Sequence, residues 1–468
     1  MKKLTLFIIA TLIYNIGLFS QCPDNVLFQS QEDIDDFLIS YPNCTDISGN
    51  LFISGDNITN LNGLSNLTTI NGYLNIGNNS LLTSLDGLEN LTYVGIVITI
   101  QNNSLLTNLV GLSSLISTGS LFIDDNNLTD LSGLNNLTSI GGYFHIGSNS
   151  SLTSLNGLEN LTSVGSGITI YNNSVLTSLV GLESLTNVSG GFAINNNNSL
   201  QSLTTMENLS IINGTFYIDN NGLLSSLDGL NHLVSINGSL NISNCPVLNN
   251  LEGLNNLNSI SENLILINNN LIQSISEFEN LNSIDGSLII NNCNSLIDLS
   301  GFDNLISIGG VLEISENNNL ESLVGLNNIE GDTINKLIIT FNPLLSFCHV
   351  QSICSYLSNP SGDIDISNNS VGCNNSLEVT NACALSTYNI NQTNSLSFYP
   401  NPAKQKINII NHQELDNITV LIYDLTGKEL VNIEYLNSPI NISSLKTGFY
   451  IIEIASSRTR VKEKLIIN

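Results

Sequence analysis

The chain has 468 residues and a formal net charge of −28, and the imbalance is confined to its middle. Residues 22–383 hold one base, Lys336, against 32 acids, and neither Lys nor Arg occurs between Leu4 and Asn335. Such a surface cannot replace the counterions of a phosphate backbone, which excludes nucleic acid and anionic membranes as partners.

From the N-terminus, Lys2 and Lys3 precede an apolar run from Leu4 to Ile13 and small or turn-forming residues up to Ser20 and Gln21. This pattern predicts a signal peptide over residues 1–21, with no transmembrane segment in the mature chain. Residues 22–50 read as an N-terminal cap. Ser30, early acids, and Ile34, Phe37 and Leu38 on one face predict a short helix, and Cys22 and Cys44 are expected to tie it down.

A repeat then begins. Apolar-x-apolar strands start at Leu51, Leu74, Ile98, Leu121 and Phe144 and continue to Leu337 and Ile364, mostly 23 or 24 residues apart. A unit such as LNIGNNSLLTSLDGLENLTYVGIV cannot bury its apolar face alone, so stacked coils must share one core. Leu74, Ile76, Leu82, Leu85, Leu88, Leu91 and Val94 recur in register as interior rails, and Gly87, Gly157, Gly229 and Gly325 supply corners. The sixth position forms a polar rail, running from Asp56 and Asn79 through Asn103 and Asn126 to Asn369. An inward Asn there can bond the backbone of the next coil. Cys245 and Cys293 replace it in coils nine and eleven. Two strand spacings, about 9.6 Å, are too far for a disulfide, so both read as buried free thiols. The prediction is an all-β, right-handed parallel β-solenoid over residues 51–347. A cap follows at 348–383, where Cys348, Cys354, Cys373 and Cys383 form two disulfides in one of three pairings.

This pattern resembles the leucine-rich repeat, and more closely the receptor L-domain repeat, as in NLTSIGGYFHIGSNSSLTSLNGLENL from Asn136. The resemblance spans about residues 47–383 and implies a ligand-binding solenoid. The abundance of Asn, Ser and Thr and the number of coils depart from that family, so receptor identity is not carried over. Frequent Asn-x-Ser/Thr triplets follow from this composition and do not establish glycosylation.

Residues 384–395 read as a polar linker. From 396 to 468, short β-rich runs separated by turns predict a small antiparallel, immunoglobulin-like sandwich. This segment resembles the type A C-terminal sorting domain of the type IX secretion system. Its landmarks are Tyr399, Pro400, Asn401 and Pro402, the Gly427-Lys428 turn, LKTGFY with Gly448 and Tyr450, and the final KEKLII. The resemblance implies contact with the secretion machinery and a secreted or outer-surface location for the acidic cargo.

Catalytic, cofactor and metal signatures are not found. The solenoid has no His-x-x-x-His, Cys-x-x-Cys, Gly-x-Ser-x-Gly or phosphate loop. His232, His349 and His412 read as structural or solvated. Asp124 and Asp219 face outward but lie four coils, roughly 19 Å, apart, whereas glycosidase pairs need roughly 5–9.5 Å. Asp125 should point away from Asp124 if the strand continues. Glu159, Glu183 and Glu207 recur at one position and read as a solvated acidic edge, with calcium bridging as the alternative. A binding surface is expected on the outward strand face at Phe122, Asp124, Tyr143, His145, Tyr171 and Tyr217, near Thr169. Its ligand would be an extracellular protein or a neutral glycan. Ile265, Ile267, Ile289 and Ile338 also point outward. The expected role is binding or adhesion without catalysis. Alternatives are a structural surface-layer component and a glycan-active enzyme.

Overall fold

The computed structural model describes residues 22–385, 396–411, 418–424, 427–435, 438–456 and 460–468. The expected signal peptide, His412 and linker residues 386–395 lie outside the described residues. The chain divides into two compact units. One contains the coils up to residue 152 together with 156–161, and the other contains 153–155 and everything from 162 onward.

In the first unit, alternation of apolar and polar residues produces parallel rungs one coil apart. Val26 lies opposite Leu51, Leu51 opposite Leu74, Leu74 opposite Ile98, Ile98 opposite Leu121, and Leu121 opposite Phe144. Every one of these but Val26 is fully buried, and Val26 is nearly so. The ladder therefore begins at the strand Val26–Phe28, one rung before Leu51 and inside the segment expected to be only a cap. That strand is too short to show periodicity by itself. Helix α1 (Gln31–Ser40) follows it. Ser30 accepts from the Asp33 backbone while the Asp33 carboxylate accepts from Ser30, closing both orphan donors. Ile34 and Phe37 are buried and Leu38 is half-buried. Cys22 bonds Cys44.

The second unit repeats the register from Ile168 through Phe192, Phe216, Leu240, Leu264, Leu288, Leu312 and Leu337 to Ile364. The last rung, Ile364–Ser367, lies within the expected cap, between helices α2 (Gln351–Ser358) and α3 (Ser376–Leu385). Disulfides Cys348–Cys373 and Cys354–Cys383 hold those helices, which selects one pairing. Helix α3 also extends past the expected linker boundary at 384. In both units a second ladder of two-residue parallel strands, such as Thr69–Ile70 and Ser235–Ile236, runs through the Val94 rail.

Polar ladders join the coils. Asn79 donates from its side chain to Asn103 Oδ1 and to the Ile53 carbonyl, at 3.0 and 3.1 Å. Cys245 and Cys293 occupy this rail, their backbone nitrogens donating to Asn269 and Asn317 at 3.1 and 2.9 Å. Both thiols are free and buried, and burial pushes them up to about 11 and about 12. Asp56 does not join the rail. The strand Leu51–Ile53 is short, so Gly55 presents the backbone nitrogen to Asn79 Oδ1 and Asp56 is exposed.

The Asn-Leu-Thr triplets have a positional cause. Asn66, Asn90, Asn136 and Asn160 each donate to a carbonyl of the preceding coil at 2.8–2.9 Å. The following Leu is buried, and Thr68, Thr92 and Thr138 donate their hydroxyls back by one coil. The triplet is thus the unit of an inter-coil hydrogen-bond ladder.

In its described residues the C-terminal domain has two antiparallel sheets, one of three strands and one of four, closing on Leu396, Phe398, Ile407, Val420, Ile452 and Leu465. Among the described residues, no helix is long and apolar enough to cross a membrane.

Candidate ligand-binding face

The residues chosen from sequence fall into two groups, one in each unit. In the first, the strand Ser117–Asp124 runs parallel to Phe144–Gly147, with Phe122 opposite His145 and Asp124 opposite Gly147. Gly147 has no side chain, which leaves room beside Asp124 for His145 to reach back. His145 Nε2 lies 3.3 Å from Asp124 Oδ1. The Phe122 and His145 rings lie 5.6 Å apart, tilted by 35°. Tyr143, just before the strand, is 59% exposed, and its backbone nitrogen donates to Ser120 Oγ. Thr99 and Gln101 sit opposite Phe122 and Asp124 on the preceding rung. The sequence reading left them out of the site, although the same alternation places them there. Asp125 does not extend the strand. Its φ is +52°, so the strand ends at Asp124 and Asp125 turns into solvent.

In the second unit, Tyr171 lies opposite Asn195, and Tyr217 sits between Ala193 and Asn241. Burial, then the neighbouring Asp219 carboxylate, pushes the Tyr217 phenol up. Asp219 Oδ1 accepts from Ser243 Oγ and Asn244 Nδ2, both at 2.7 Å. That carboxylate therefore serves as a fixed acceptor within the ladder. Ile265 lies opposite Ile289, and Glu313 separates Ile289 from Ile338, giving a half-buried aliphatic strip.

The recurrent glutamates have a local role. The backbone nitrogen of Gly157 donates to Glu159 at 2.8 Å, and that of Gly181 donates to both oxygens of Glu183 at 3.1 and 2.9 Å. Gly87 and Glu89 repeat the arrangement. Asn135 and Asn255 do the same work at Gly133 and Gly253, so the position needs an acceptor rather than a charge. The solvated-edge reading missed this bond, which gives Glu159 and Glu183 a local role, whereas two residues before Glu207 stands Thr205 rather than a glycine. Among the described residues, no three of His, Cys, Asp and Glu are grouped to hold a metal ion.

In the C-terminal domain, the peptide bonds before Pro400 and Pro402 are cis. The Tyr399 hydroxyl donates to Asp298 Oδ2 at 2.9 Å, and burial, with Asp298 beside it, pushes that phenol up. Asn401 clamps the last strand: its Nδ2 donates to the Lys464 carbonyl and its Oδ1 accepts from Ile466 nitrogen, at 2.7 and 2.8 Å. Gly427 and Lys428 close a turn on Asp424. Gly448 opens the strand that carries Tyr450, whose hydroxyl donates to the Lys446 carbonyl.

These features define a parallel-coil repeat protein with an appended antiparallel domain. Residues 43–131 and 258–359 match the model of the Receptor L domain, one stretch in each unit. Residues 397–468 match the secretion system C-terminal sorting domain. The chain thus joins receptor L-domain repeats to a type IX secretion sorting domain, and it is a secreted or outer-surface protein. It is also similar to Beta-agarase D of Zobellia galactanivorans, with 34% identity over 77 residues, covering 16% of this chain and 16% of the agarase. The match spans about a sixth of that enzyme's length, too little to carry its activity over.

Proposed function

We propose that this chain is a non-catalytic binding or adhesion protein of the cell surface, taking an extracellular protein loop or a neutral glycan on its outward strand face. The observation that carries the reading is the His145 imidazole held between the Phe122 ring and the Asp124 carboxylate, with Tyr143 exposed beside them. Aromatic surface flanked by hydrogen-bonding groups on a rigid scaffold suits recognition, because little side-chain entropy is lost on binding. The acidic surface adds selectivity against polyanions.

The test is a glycan array and pull-down with the purified chain, repeated with Phe122→Ala, His145→Ala and Tyr171→Ala. Loss of capture on the first two supports the site. Undiminished capture rejects it, and capture of nothing favours a structural surface-layer component. Turnover of a neutral polysaccharide that disappears with Asp124→Asn rejects the non-catalytic reading.

A further inference from the structure

In the main strand ladder, the turn after each strand from Tyr73–Gly77 to Ile364–Ser367 places one residue in the left-handed region. Among the described residues, eleven of thirteen such positions carry Asn, Asp or Ser, whose short polar side chains tolerate that backbone. The exceptions are consecutive: Glu316 at φ +60° and Phe341 at φ +57°. An aromatic residue there costs about 1–3 kcal/mol. Core burial does not offset the cost, because Phe341 is 55% exposed.

The ring stands at a depression of about 350 Å³ lined by Asn292, Glu316, Asn318, Phe341, Pro343 and Asn368. Asn292 is already held, donating to Asn268 Oδ1 at 2.8 Å and accepting from Asn294 at 2.6 Å. The Glu316 carboxylate and the Asn318 side-chain amide take no partner among the described residues. A flat ring and a proline thus sit beside one carboxylate and one amide with unused hydrogen-bonding capacity.

That set fits a molecule with an apolar C–H face and a rim of hydroxyls. Glu316, in a stretch with 32 acids and one base, disfavours an anionic ligand. We propose that this depression is a binding site for a neutral hexopyranose glycan, with Phe341 as the stacking platform and Glu316 and Asn318 as partners of its hydroxyls. The site is separate from the strand face argued above.

The full chain is titrated calorimetrically with cellohexaose, laminarihexaose, mannohexaose and hexagalacturonate. At least one neutral hexasaccharide is expected to bind saturably, and the acidic one is not. Phe341→Asn, which restores the residue type usual at this turn, should weaken binding at least tenfold while keeping or raising Tm. Glu316→Gln should weaken it several-fold, and Ile39→Ala, at an exposed position of helix α1 outside both faces, should leave it unchanged. The proposal is overturned by no binding of any neutral hexasaccharide, by equal binding of hexagalacturonate, or by parental affinity in Phe341→Asn. Loss with Phe122→Ala but not with Phe341→Asn also overturns it, and assigns the glycan to the strand face.

Discussion

Asn79 and Asn103 are one coil apart and joined twice: Asn103 Oδ1 accepts from the Asn79 backbone nitrogen at 3.1 Å and from its side-chain amide at 3.0 Å. Both residues are fully buried, so neither donor can turn to water instead. Asn103→Leu should therefore destabilise the solenoid by about 2–5 kcal/mol, because two buried donors lose their acceptor. The reverse change is informative at Cys245, whose sulfur is a weak acceptor for the Asn221 backbone. Cys245→Asn supplies a better one and should raise Tm by a few degrees, read by circular dichroism.

The corner glycines separate two costs. At Gly157, φ is +112° and a Cβ would land on the Leu131 carbonyl of the preceding coil. At Gly427, φ is +84° and nothing lies within 4 Å. Gly427→Ala should cost about 1–2 kcal/mol from backbone strain. Gly157→Ala should cost on the order of 3 kcal/mol or more, because the stacked coil must also move. Chemical denaturation of the two variants ranks them, and equal costs would contradict the close approach.

His349 predicts a pH dependence. Its ring packs on Phe347 at 4.4 Å, its Nδ1 is buried without a partner, and burial pushes the imidazole down to about 4. In the unfolded chain the same group titrates near 6.5. The folded state therefore binds fewer protons, and stability present above pH 6.5 is lost as pH falls towards 4. Burial pushes the Glu321 and Glu463 carboxyls up, so their contributions run in the opposite sense and are lost as pH rises. Comparison with His349→Gln isolates the histidine: Tm of the parent should fall more steeply between pH 6.5 and 4 than Tm of the variant.

Asn401 gives the sorting motif a mechanical role. Asn401→Ala removes both bonds to the last strand and should destabilise the C-terminal domain by about 2 kcal/mol. Limited proteolysis should then cut the domain sooner while the solenoid survives, and cell fractionation should show less exported protein. Export at the parental level with a protease-sensitive tail would show that the clamp is not needed for sorting.

Much of the architecture was legible because one physical demand repeats in every coil. Leu74, Ile98 and Leu121 recur in register since each must bury against its neighbours, and the Asn rail recurs since a buried turn needs its donors met. The strand Val26–Phe28 was missed because three residues carry no period. Asp56 was misplaced because a short strand shifts its turn by one residue. The glutamates at Glu159 and Glu183 looked like a charge row, and only the position of the glycine nitrogen shows an acceptor for a corner.

The alternation of side chains also told which residues leave the core, so Phe122, Asp124 and His145 could be chosen from the chain alone. Whether they touch depends on inter-strand register and on the space beside a glycine, which are relations between residues 21 to 23 positions apart. The depression around Phe341 lay further from view, because its lining comes from successive turns and its signal is a backbone angle. Sequence by itself determined the repeat and the buried rails, since local period and composition suffice for both, and it pointed to the export domain through its resemblance to a known sorting domain. Only the tertiary structure decided the disulfide pairing, the coil-to-coil bonds and the grouping of surface side chains, because those follow from distances between segments that the chain order leaves free.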